Sequence, residues 1–159
     1  MTDSWQLRTH MIFVVDNLQH YLMADVLESQ YSVLMKKLDH STNFEEIRHS
    51  HDVFLSTITS HTFINNKSVN HCLSEMLKAC QQYCDHINGI KVVSSEEAEV
   101  DKFIGNLALN FSRQSGLLFK LLTSIQNRTT GTKLAQLLLR IDYNRYFSKH
   151  GHDIGSITS

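Results

Sequence analysis

Not one of the 159 residues is proline. Average usage of about 5% would place roughly eight in a chain of this length. Proline ends or kinks helices and populates turns, so a chain without it can run in long, uninterrupted helices. Glycine is also scarce, at 6 residues, which disfavours an all-β fold with many tight turns. The expected fold class is all-α.

Apolar spacing divides the chain into five helices. The first runs from about Trp5 to Leu38, and its stripe includes Leu7, Met11, Val14, Leu18, Leu22, Val26, Leu34 and Leu38 in steps of three and four. At 1.5 Å per residue it is roughly 50 Å long, as in a long bundle member. A coiled coil is the competing reading, weakened by drift of the stripe and by Ala24, Asp25 and Ser29 on inward or flanking positions. Asp39 to Asn43 is a polar break. Thr42 or Asn43 can cap a second helix, with Glu45 and Glu46 in its first turn and Phe44, Ile47, Phe54, Leu55 and Ile58 along it. It fades near Phe63 to Asn66. A third helix, about Ser68 to Ile87 with Ser68 as cap, presents Val69, Cys72, Leu73, Met76, Cys80 and Tyr83.

Asn88-Gly89 reads as a left-handed stop. Ser94 or Ser95 then opens a fourth helix that runs to about Ile125 through Val100, Phe103, Ile104, Leu107, Phe111, Leu117, Leu118, Leu121 and Leu122. Gly105 and Gly116 weaken it slightly or allow close helix packing. The fifth helix starts at Thr132 and continues past Ile141 to Tyr146, with Gly151 ending it and residues 151–159 as a frayed tail. Short connections make neighbours antiparallel, so the architecture expected is an up-and-down bundle of about five helices, the first one long.

Charge and chemistry narrow the function. Fifteen Lys+Arg against 16 Asp+Glu leave a net charge of −1, which excludes a strongly basic nucleic-acid scaffold. No apolar run approaches the roughly 18 to 20 residues of a membrane span. The first six residues, Met1 to Gln6, lack a secretory pattern, and the three cysteines are an odd number, read as reduced thiols in the cytosol. Ten histidines invite a metal reading, but none pair at the i,i+3 or i,i+4 spacing that puts two rings on one helix face. Cys80 and Cys84, with His86 nearby, make half a site. Neither a phosphate-binding glycine loop nor a Gly-x-Ser-x-Gly elbow is present. The chain is therefore expected to be no enzyme, with no cofactor and no metal. Near its end, Arg140, Arg145 and Lys149 alternate with Asp142, Asn144, Tyr143, Tyr146 and Phe147. That mixture suits a protein interface, or aromatics locking the last helix onto its own bundle.

The residues themselves carry a resemblance. Leu7-Arg8, Met11 and Asn17-Leu18-Gln19-His20-Tyr21-Leu22, followed by Ala24-Asp25-Val26-Leu27-Glu28, resemble a long helix of the gamma-tubulin complex component family. Phe44-Glu45-Glu46-Ile47 and His51-Asp52-Val53-Phe54-Leu55 are similar to its next stretch. Phe111-Ser112-Arg113-Gln114-Ser115, Leu117-Leu118-Phe119 and the ending from Leu134 to Phe147 follow in order, the last being the most specific. The wording is nearest to a short member of the family and covers roughly Trp5 to Gly155. Family members are several times longer, so the resemblance implies that residues 1–159 form the C-terminal part of the family's C-terminal domain: a fragment, an isoform or an incomplete gene model.

By resemblance, the chain binds gamma-tubulin and other gamma-tubulin complex components and supports microtubule nucleation. Its place would be the cytoplasm and cytoskeleton, at a centrosome or spindle pole, with no nucleic-acid or membrane partner. Candidate gamma-tubulin contacts are Arg113, Gln114, Arg140, Asp142, Asn144 and Arg145. Arg140 and Asp142 could instead fix helix packing or a cap. The alternative function is a generic cytosolic helical interaction module unrelated to tubulin.

Overall fold

The computed structural model describes residues 2–89, 97–128, 132–142 and 147. Among them every regular element is helical. The long first rod is built from three contiguous pieces: α1 (Thr2–His20), a π-helical segment (Tyr21–Glu28) and α2 (Ser29–Asp39). The residues flanking the π segment, His20 and Ser29, both have right-handed helical backbone angles, so the rod is continuous through it. Then follow α3 (Phe44–His61), α4 (Lys67–Gly89), α5 (Glu97–Gln126) and α6 (Thr132–Ile141).

Helix starts follow local hydrogen-bonding chemistry. Asn43 is extended, at φ −142° and ψ 161°, and its Oδ1 accepts from the Glu46 amide at 2.9 Å. The Glu46 carboxylate returns the favour by accepting from the Thr42 amide at 2.9 Å and from Asn43 Nδ2 at 3.0 Å. This reciprocal cap satisfies amides that have no partner inside the helix. The cap of α4 is Asn66, whose Oδ1 accepts from the Val69 amide at 3.1 Å, rather than Ser68. Gly89 lies within α4, and no described glycine has positive φ. The left-handed position is instead Phe63, at φ 59°. A side chain there costs energy, and the stacking of Phe63 on Tyr21, with centroids 6.1 Å apart, offsets it. The expected starts at Ser94 or Ser95, and the stretch from Tyr143 to Tyr146, lie outside the described residues.

The core gathers around α5. Ile104, Leu107, Phe111, Leu118 and Leu122 of α5 are buried against Val69, Cys72, Met76 and Ala79 of α4 and against Leu7, Met11 and Val14 of α1. Each Val, Leu, Ile, Met or Phe side chain among them contributes about 1.5–3 kcal/mol of burial. Helix α6 closes the bundle with Leu134, Leu137 and Ile141, lying across α1, the π segment and α5. Tyr83 of α4 ties to the start of α1, its hydroxyl 3.0 Å from Ser4 Oγ.

The rest is different. Helices α2 and α3 form an antiparallel arm whose main contacts are with each other and, at its foot, with the π segment. Only Leu34 is buried in α2, and no residue is buried in α3. The apolar stripe expected on the second helix exists, but Phe44 is 76% exposed, and Ile47 and Leu55 are exposed too.

Candidate protein-binding surface

Three features of this fold could meet a partner: the end of α6, the outer face of α5, and the groove between α5 and α1.

The end of α6 is fixed from inside. Arg140 Nη2 donates to Asp25 Oδ2 at 2.5 Å, and Lys133 Nζ donates to Ser29 Oγ. Both acceptors sit in or beside the π segment, so α6 is pinned where the rod departs from α-helical geometry. The His20 ring lies 3.9 Å from the other Asp25 oxygen. Tyr21 is buried beside this cluster and donates from its hydroxyl to the His61 carbonyl at 3.1 Å. Burial, and then the Asp25 carboxylate, push its pKa up to about 12. Just past α6, Asp142 Oδ1 accepts from the Phe147 amide at 2.8 Å. Phe147 is buried, stacked on Phe119 with centroids 5.3 Å apart.

The candidate contacts therefore differ in what they do within the fold. Arg140 spends one guanidinium nitrogen on Asp25, and its side chain remains 32% exposed. Asp142 is half-buried and accepts a hydrogen bond from the Phe147 amide. Arg113 is exposed on α5. Gln114, one position on, is half-buried, and its Oε1 has no hydrogen-bond partner among the described residues. Asn144 and Arg145 lie outside the described residues. Arg113 keeps company that sequence reasoning missed. Lys102, Leu109, Arg113 and Lys120 follow each other at steps of seven, four and seven, and all four are exposed. Those steps align them on one face of α5, as a basic stripe with an apolar member.

Beside that stripe runs a groove of about 1020 Å3 between α5 and α1. Trp5 and Phe13 form one wall and Leu109 the other, with Gly105 and Ala108 along α5 and Phe147 at the end. His10 also lines it, 5.2 Å from the Phe111 ring centroid, and burial lowers its pKa, which favours the neutral imidazole. Gly105, expected to weaken α5 or let a helix come close, faces open space: an added Cβ meets nothing within 4 Å.

Other chemistry is sparse. Among the described residues no three His, Cys, Asp or Glu side chains are grouped to hold a metal ion. His86, near the Cys80–Cys84 pair, lies against the Phe103 ring at 4.3 Å between centroids. No described helix is long and apolar enough to cross a membrane.

A helical bundle of this shape is shared by many proteins, and the family is decided by the sequence laid along it. Residues 1–147 match the family model for the gamma tubulin complex component C-terminal region. The chain belongs to the gamma-tubulin complex component family. Gamma-tubulin complex component 4 of mouse and that of human are each 46% identical to it over 152 residues, 96% of this chain and 22% of theirs. The Arabidopsis thaliana component 4 is 31% identical over 147 residues, 90% of this chain and 19% of its own. The chain thus spans about a fifth of the length of these relatives.

Proposed function

We propose that this chain is the C-terminal part of a gamma-tubulin-binding scaffold subunit, one that supports microtubule nucleation at centrosomes or spindle poles. The observation that carries the reading is the match of its family to residues 1–147, the whole described fold. A scaffold of this kind needs no reacting groups. Nucleation must order several tubulin subunits at once, against a large association entropy. Presenting gamma-tubulin at fixed spacing lowers that cost by raising the effective concentration. Bond-making chemistry and nucleotide stay with the tubulin, and this chain acts as no enzyme. Its partners are gamma-tubulin and the other components of the complex.

Within that reading, the gamma-tubulin contacts come from Arg113, Gln114, Arg140, Asp142, Asn144 and Arg145. The exposure of Arg113 on the basic stripe supports its role. Arg140 serves twice, bracing the π segment through Asp25 while its side chain, 32% exposed, stays within reach of a partner. The test is capture of purified gamma-tubulin by the chain and its variants, with helicity followed by circular dichroism. Arg113→Glu and Arg145→Glu should each weaken capture by about tenfold, the scale of a misplaced charge at an interface, with helicity unchanged. Capture equal to the parent chain in both variants removes this contact set. No capture by the parent chain itself would favour a helical interaction module unrelated to tubulin.

A further inference from the structure

We infer that the arm formed by α2 and α3 is hinged at both feet and latched by the Asp25–Arg140 bond, so that drawing Arg140 away frees the arm to turn against the bundle. Each foot has the kind of backbone that hinges use. The α2 foot is the π segment, and π-helical winding is rare and concentrated at functional sites. The α3 foot is the turn between His61 and Lys67, where Phe63 sits at φ 59°. A bulky side chain in that region is strained and persists only while its surroundings hold it there. A turn of the hairpin has to be absorbed at these two feet, and both already depart from ordinary geometry.

Tyr21 ties the two feet together. Its ring stacks on Phe63, and its hydroxyl donates to the His61 carbonyl at 3.1 Å. Four residues on, Asp25 accepts from Arg140 at 2.5 Å, so one line of contacts runs from α6 through the π segment to the end of α3. The latch closes at a single point. Arg140 Nε is buried without a hydrogen-bond partner among the described residues, and Asp25 is the one group there that the guanidinium holds. Lys133 adds a bond to the Ser29 hydroxyl, a neutral acceptor and so the weaker tie. Opening the latch leaves α6 docked, because Leu134, Leu137 and Ile141 bury it independently. Little opposes the turn, since α2 buries only Leu34 and α3 nothing, with Ile58 and Phe63 packing partly on the core at the foot.

The test measures where α3 lies. Spin labels on His49→Cys of α3 and on Cys84 of α4, both exposed positions, report their separation by pulsed electron paramagnetic resonance. Cys80→Ser leaves one label on the bundle, since Cys72 is buried. The parent chain should show one narrow distance. Arg140→Gln and Asp25→Asn should each add a second population displaced by about 10 Å, because packed helix axes lie about 8–10 Å apart and a quarter turn of the hairpin carries α3 roughly that far. The two substitutions together should do no more than either alone, as expected of partners in one bond. Tyr21→Phe keeps the stack on Phe63 but loses the bond to His61, and should add a smaller second population. Leu137→Val loosens the buried face of α6 without touching the latch, and should leave the distance single. Three results would overturn the proposal: one unchanged distance in both latch variants, additive effects in the double variant, or a second population of equal size in Leu137→Val. The last would show that the arm follows the general stability of the bundle. Because the readout contains no gamma-tubulin, it fails or succeeds independently of the function proposed above.

Discussion

The bundle around α5 and the arm made by α2 and α3 use the same kind of helix to different ends. Both have apolar residues at helical spacing, and both have sound caps. In the bundle those residues are consumed: Phe111 is fully buried, and α1, α4 and α6 each bury several side chains around it. In the arm they are displayed. Tyr31, Val33, Phe44, Ile47, Val53 and Leu55 are all exposed, and α3 buries nothing. Amphipathicity is therefore a property of a segment, whereas burial is a property of what surrounds it. Stability in this chain resides in the bundle, and the arm is held by its foot on the π segment.

The sharpest way to break this contrast is to truncate one aromatic in each region. Phe111→Ala should cost about 3–5 kcal/mol in denaturant unfolding, the range for a large buried side chain. Phe44→Ala should stay within about 0.5 kcal/mol, as for an exposed position. Comparable losses would show that the arm is packed as tightly as the bundle. Next in size is the joint between the regions. Asp25→Asn removes the charge that Arg140 and its neighbours face, and should cost about 2 kcal/mol, the scale of a charge-assisted hydrogen bond. The same variant should lower the Tyr21 pKa part of the way back from about 12, since burial remains while the carboxylate charge goes. Tyrosinate absorbance during an alkaline titration measures this. Apart from the near-silent Phe44→Ala, the smallest loss should come from Asn43→Ala, about 1 kcal/mol, through loss of the α3 cap. Hydrogen exchange should place it in α3 and leave α5 protected, and faster exchange throughout would mean that the two regions unfold together.

Much of the fold was legible because periodicity and caps are local. The stripe of α5 is buried at Ile104, Leu107, Phe111, Leu118 and Leu122, as its spacing predicts, and Asn43 caps α3 as its residue type predicts. Phe103 and Leu117 belong to the same stripe yet are exposed, because they lie at its edge, and spacing does not say how wide the neighbouring helix is. The π segment was invisible for another reason. No residue type encodes it, and its one signal was Asp25 intruding on an apolar stripe, with its cation 115 positions away at Arg140. The groove was equally hidden, since Gly105 in a sequence reads the same whether a helix or open space faces it. Of the candidate contacts, an internal packing role for Arg140 was already open in the sequence, but its partner Asp25 and the exposure of Arg113 became visible only in three dimensions.

The wider winding between Tyr21 and Glu28 has one last consequence. It sits where a stable body hands over to a lever, so the angular register stored there decides which way the lever points. Removing a single residue inside it would turn everything downstream by roughly a quarter turn relative to the upstream part, the rotation that one helical residue contributes. Every local interaction within the lever would survive that rotation. Direction of reach is thus adjustable here by a one-codon change, at a joint where Tyr21 and Val26 pack into the body and Asp25 holds Arg140, so the turn would be taken at the expense of those contacts.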